Sequence, residues 1–152
     1  MEESLVVPRE SALLCWPAQF VGTPPNVKFP HCTLAYWKNL RGLEKNDILY
    51  RIRDSHWIER LREWRIVNFT GIDVYNGSEG DLPVLKVIDP HPSILKNAHE
   101  HMGSLFSRNP FSNHWVYSPH VTVDIKTLVK PPKQIILRPL ELWYKDDEPV
   151  VV

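Results

Sequence analysis

Apolar positions along the chain change their period several times, and each change marks an element. Ser11 to Phe20 carries a nearly continuous apolar run, too short for a helix, and reads as a buried strand with Pro17 limiting it near its end. A proline-rich loop over 22–30 follows, then a strand over about 31–37 and a turn at Asn39 to Gly42. From Leu43 to Trp64 the apolar residues Ile48, Leu49, Ile52, Ile58, Leu61 and Trp64 recur at three- and four-residue steps. Asp54-Ser55 interrupts them as a break and fresh N-cap, so two helices are expected. Ile66 to Tyr75 and Pro83 to Ile88 read as a strand pair around the turn Asn76 to Gly80. Ser93 to Phe106 is a further amphipathic helix with Ser93 as its cap, followed by a strand over about 115–125 and a last strand over Ile135 to Tyr144. Helices alternating with mostly antiparallel strands predict an α+β sheet with helices outside, in one domain spanning 1–152.

Two of these strands share a pattern. Pro30-His31-Cys32-Thr33-Leu34 and Pro119-His120-Val121-Thr122-Val123 each set a histidine two residues before a threonine. In a strand that spacing puts both on one face. Alternation then gives His31, Thr33, Ala35 and Trp37 one face of the first strand, with Cys32, Leu34 and Tyr36 on the other. In the second strand Ser118, His120, Thr122 and Asp124 lie opposite Val121 and Val123. Seven histidines and five threonines in 152 residues would produce His-x-Thr about 0.2 times by chance, so two copies in matching strand settings carry information. His91-Pro92-Ser93 is a third, looser copy, but its proline and the helical run after it make it a turn and helix start.

Charge narrows the partners. Lysine plus arginine balance aspartate plus glutamate, so no overall field draws in a long polyanion. The one local excess, Arg51, Arg53, Arg60, Arg62 and Arg65 among Asp54, Glu59 and Glu63, reads as a solvated helix face. A small phosphorylated ligand suits this balance better than a duplex. Cys15 and Cys32 lie in apolar runs and are expected as buried free thiols, which with the acidic start points to a cytoplasmic protein without a membrane span. His99 and His101 stand at i and i+2 on a helix, too far around it to share a metal, and are expected to be solvated.

The two His-x-Thr strands, with a strand pair and one helix ahead of the second and Tyr117-Ser118-Pro119-His120 leading into it, resemble the 2H phosphoesterase superfamily over residues 31–144. That resemblance implies a bilobal fold, with two mostly antiparallel sheets facing a central cleft. It maps the family's catalytic residues onto His31, Thr33, His120 and Thr122. The resemblance further implies a phosphodiesterase that uses neither metal nor cofactor and acts on a small nucleotide. The candidates are a 2′,3′-cyclic phosphate end, a 2′-5′ linkage or a cyclic oligonucleotide signal; viral members destroy immune messengers of the last two kinds. Processing of a short RNA end and a non-catalytic nucleotide- or RNA-binding module are the alternatives. One departure is that a proline-rich loop stands before His31 where the family carries a long helix.

The residue types suit that chemistry on their own terms. One imidazole removes a proton from the attacking oxygen and the other protonates the leaving oxygen. Thr33 and Thr122 donate to the non-bridging oxygens. Convergence on one phosphate requires ring nitrogens roughly 5 to 8 Å apart, each within hydrogen-bond reach of an oxygen. Trp37 is the candidate for stacking a base, Ser118 for a further phosphate contact, and Trp143 and Tyr144 for a wall of the cleft, with Tyr36 and Tyr117 assigned to the core by parity.

Overall fold

The computed structural model describes residues 11–21, 29–37, 40, 42–62, 66–67, 69–77, 80–87, 94–106, 120–122, 134–144 and 148–152. In chain order the elements are β1 (Ala12–Val21), β2 (His31–Trp37), α1 (Lys45–Arg53), α2 (His56–Arg62), β3 (Ile66–Val67), β4 (Phe69–Gly77), β5 (Gly80–Val87), α3 (Ile94–Ser104), β6 (His120–Thr122), β7 (Gln134–Leu137), β8 (Glu141–Tyr144) and β9 (Val150–Val151). The α+β class stands, with every pairing among the described strands antiparallel.

Where the sequence resemblance implies two sheets, the described strands form one hydrogen-bonded network in the order β3-β7-β1-β2-β6-β5-β4, with β8 on β1 and β9 on β8. The joint lies where β2 meets β6, so the strands holding the two His-x-Thr motifs are direct neighbours. The front strands β1, β2 and β7 to β9 hang on one side of this seam, and β4 and β5 on the other.

Two prolines explain a difference from the sequence pattern. β1 covers the expected stretch and passes through Pro17 to Val21, whereas the expected last strand is split at Arg138-Pro139-Leu140. Along the same edge of β1, Ala12 to Cys15 pair with β8 while Ala18 to Val21 pair with β7. Pro17 sits at the gap between those partners, where its carbonyl accepts from the Arg138 N–H at 2.8 Å. A strand residue's N–H faces the same neighbour as its carbonyl, so the donor that proline lacks is missing at a break in the ladder.

One face of the sheet carries the core. Ala12, Leu14, Trp16, Cys32, Leu34, Trp37, Val121, Leu142 and Tyr144 bury against Ile48, Leu49 and Ile52 of α1, Ile58 and Leu61 of α2, and Leu95, Ala98 and Met102 of α3. The chain enters α1 through a turn closed by the Leu43 N–H on the Leu40 carbonyl at 3.1 Å, with Gly42 at φ +84° in the third position. A positive φ in that position is one glycine adopts freely. The expected break between α1 and α2 is present: Ser55 is buried, and its Oγ accepts from the Trp57 N–H at 3.3 Å. The expected cap Ser93 and the outer parts of the 115–125 strand lie outside the described residues.

The arginines of α1 do more than face solvent. Arg53 donates to the Val151 carbonyl at 2.9 Å and Arg51 to the Leu105 carbonyl at 3.4 Å, while Lys45 reaches the Glu148 carbonyl at 2.9 Å. The basic side chains of this helix thus hold β9 and the end of α3 by their backbones. Cys15 and Cys32 are buried free thiols, as expected. No helix among the described residues is long and apolar enough to cross a membrane.

Candidate active site

The register at the seam decides what the motifs have in common. Cys32 pairs with Val121, and both are fully buried in the core. Continuing that antiparallel register by one residue each way sets position 31 across from 122 and position 33 across from 120. The pleat then assigns all four motif positions to the face away from the core. His31 and His120 thereby become diagonal neighbours, a relation in which residues stand about 7–8 Å apart. A tetrahedral phosphate fits that span. The side chains of His120 and Thr122 lie outside the described residues, and so does the expected separation of ring nitrogens.

His31 and Thr33 are both half-buried, in contrast to fully buried Cys32 and Leu34 between and after them. Nδ1 of His31 lies 2.7 Å from the Phe29 carbonyl. A carbonyl can only accept, so Nδ1 carries the proton, and in the neutral ring Nε2 is left with the lone pair. Burial pushes the His31 pKa below its ordinary value of 6.5, against the opposing pull of the Phe29 hydrogen bond. The ring is therefore neutral at pH 7, with an acceptor nitrogen.

Trp143 supplies part of that burial. It lies edge-on to the His31 ring, with centroids 5.0 Å apart and planes at 62°, and its indole N–H donates to Oε1 of Glu141 at 3.0 Å. Beneath it Cys15, cross-strand from both Thr33 and Glu141, forms with Trp143 and Leu13 a small apolar cluster on the motif face. Burial, then the charge of Glu141, then Cys32 hold the Cys15 thiol well above its usual pKa, so it stays protonated. Trp143 is only 6 % exposed, so it walls His31 without offering an open stacking surface.

Two other expected site residues are on the wrong side. Trp37 is 0 % exposed; its indole N–H donates to the Met102 carbonyl at 3.1 Å and its ring meets Phe106 edge-on at 5.1 Å. The cause is a β-bulge: Thr33 pairs with Cys15 and Ala35 with Leu14, leaving Leu34 without a cross-strand partner in β1. One extra residue reverses the facing of everything after it. Trp37 therefore turns into the core, and Tyr36, assigned to the core by simple alternation, becomes half-buried on the other face. Tyr144 is likewise a core residue, its hydroxyl donating to the Leu43 carbonyl at 3.0 Å. It neighbours Trp143 along β8, so the strand's alternation gives only one of them to the motif face. Ser118 and Tyr117 lie outside the described residues.

The bulge also accounts for a histidine. His99 is buried rather than solvated, and its Nδ1 donates to the carbonyl of Leu34, the bulged residue, at 2.6 Å. The feature that sequence reasoning missed beside His31 is Phe29, whose φ of +51° is left-handed, a conformation costing a non-glycine residue about 1–2 kcal/mol. Such strain gathers at functional sites. Its only sequence signal is the following Pro30, which marks a turn but not its hand. Compared with known proteins, the chain matches no family model and no curated protein, so the assignment of this site rests on the residues and geometry described above.

Proposed function

We propose that the protein is a metal-independent phosphodiesterase of the two-histidine kind, cleaving a small nucleotide at the seam of β2 and β6. The observation that supports this reading is the Cys32–Val121 pairing, which makes the strands of two distant His-x-Thr motifs antiparallel neighbours; by register the motif positions then share the face away from the core. Binding alone has no need of two titratable groups so placed. The bilobal arrangement belongs to the same reading, with the front and rear strand groups as the two lobes.

In this mechanism Nε2 of His31 takes the proton from the attacking oxygen, a ribose 2′-hydroxyl or a water, as that oxygen bonds to phosphorus. His120, entering protonated, gives its proton to the ester oxygen that departs, so the pair ends with its proton transferred. Thr33 and Thr122 donate to the non-bridging oxygens and stabilise the charge that grows on them. His31 suits the role of base because its desolvated ring is neutral at pH 7 and its Nδ1 proton is already committed to Phe29. The lack of net charge favours a small substrate, with cyclic oligonucleotides, 2′-5′ linkages and 2′,3′-cyclic phosphates as the classes to test.

The test is hydrolysis of a panel of these nucleotides in chelator by wild type, His31→Ala and His120→Ala. Each substitution should lower kcat by about 10²- to 10⁴-fold while leaving binding within a few-fold. The acidic limb of the pH profile should fall below 6.5 and depend on His31. Tight binding by wild type without turnover would establish the binding-module alternative instead.

A further inference from the structure

The peptide before His31 is held on both sides. Pro30 has its φ fixed by its ring, and its carbonyl accepts from the Ala18 N–H of β1 at 2.9 Å. Next to it, Pro17 and His31 pair across β1 and β2. With its φ locked and its carbonyl anchored, Pro30 determines how the Phe29–Pro30 peptide plane is presented to β2. The Phe29 carbonyl of that plane sits 2.7 Å from Nδ1 of His31. Phe29 then takes a left-handed φ of +51° to lead the preceding chain into this fixed plane, although its side chain disfavours that region.

We infer that Pro30 is a positioning residue for His31: by fixing the Phe29–Pro30 peptide it aims the Phe29 carbonyl at Nδ1, which locks the ring in the Nδ1–H tautomer and leaves Nε2 as its acceptor. The inference rests on the reading of His31 as the base, and it explains why strained backbone is kept two residues ahead of that histidine. The hydrogen bond lies inside one short segment, so the substrate need not organise it. Titratable groups on neighbouring strands are Cys15 on β1, Glu141 on β8 and, by register, His120 on β6; the partner of Nδ1 among the described residues is the Phe29 carbonyl. A proline also precedes the histidine of the second motif, in Ser118-Pro119-His120.

The experiment is ¹⁵N NMR of the imidazole nitrogens in wild type, Pro30→Ala and Phe29→Asn, combined with steady-state kinetics on the nucleotide that wild type hydrolyses. Wild type above pH 7 should show His31 as a single Nδ1–H tautomer. Pro30→Ala frees φ and should give a tautomer mixture, with kcat reduced about 5- to 50-fold and KM within about twofold. Asparagine tolerates the left-handed region, so Phe29→Asn should keep the single Nδ1–H tautomer of wild type. A proton on Nε2 in wild type, or an unchanged tautomer and kcat in Pro30→Ala, overturns the inference. If wild type hydrolyses nothing on the panel, the phosphodiesterase reading falls alone, because the spectra still decide whether Pro30 sets the tautomer.

Discussion

Replacing Trp37 by phenylalanine separates a core role from a ligand role at a position where sequence alternation and structure disagree. The indole N–H donates to the Met102 carbonyl at 3.1 Å, and that carbonyl also accepts from the Leu105 N–H at 3.3 Å. Losing the indole donor therefore does not orphan the carbonyl, so the hydrogen-bond loss is the ordinary net value of about 0.5–1.5 kcal/mol. The smaller ring adds a cavity against Phe106 and α3, bringing the total to about 1–3 kcal/mol, while Trp37→Ala should cost about 3–5 kcal/mol. Urea unfolding reads this as a lower midpoint at constant slope. Below the unfolding transition, KM and kcat for the nucleotide should match wild type, because a side chain with no exposed surface has nothing to offer a base. Weakened nucleotide affinity at unchanged stability would refute the core assignment and return Trp37 to the binding face.

Two further predictions use the same geometry. His99→Ala removes the donor from the Leu34 carbonyl and empties a buried site, so it should destabilise by about 2–4 kcal/mol in urea, with His99→Gln recovering part of the loss through its amide donor; equal stability of the His99→Ala variant and wild type would show that α3 does not support the bulge. Because the folded-state pKa of His31 lies below 6.5, the unfolded chain binds more protons as pH falls. His31 therefore contributes stability that is fully present above pH 6.5 and is lost on acidification through its folded pKa. The wild-type Tm should accordingly fall more than that of His31→Gln between pH 7 and 5, and parallel curves would contradict the burial of the ring.

The facing of the motif residues is legible because Pro30 to Leu34 alternate cleanly, and a two-residue period needs only local sequence. Beyond Leu34 the signal fails. Leu34-Ala35-Tyr36-Trp37 is a continuous apolar run with no period of its own, so alternation extended through it misplaces Tyr36 and Trp37. The bulge becomes visible only with the β1 register and with α3, whose His99 occupies the carbonyl of the extra residue. The strand read over Ile135 to Tyr144 runs straight through Pro139, where the structure divides β7 from β8, and the meaning of Pro17 depends on that break lying beside it in space. The left-handed Phe29 is illegible for the opposite reason, since propensity argues against what the backbone adopts there.

The bulge also explains how one short strand serves two faces. On its first half β2 keeps strict alternation, which holds His31 and Thr33 away from the core while Cys32 locks the register to β6 through Val121. Its second half turns Ala35 and Trp37 inward and fastens Trp37 to α3. The two motifs, alike in sequence, consequently occupy unlike settings: His31 is bounded by Trp143, by the Phe29 carbonyl and by β1, whereas His120 sits on a strand whose other neighbour is β5, with Lys86 in register across from it. Acid and base roles that a symmetric pair of histidines would exchange freely are divided, in the proposed mechanism, by those surroundings. Desolvation keeps His31 neutral and able to accept a proton, so the donor's part falls to His120. For a substrate bound across the seam, the oxygen to be deprotonated is then the one that faces β2.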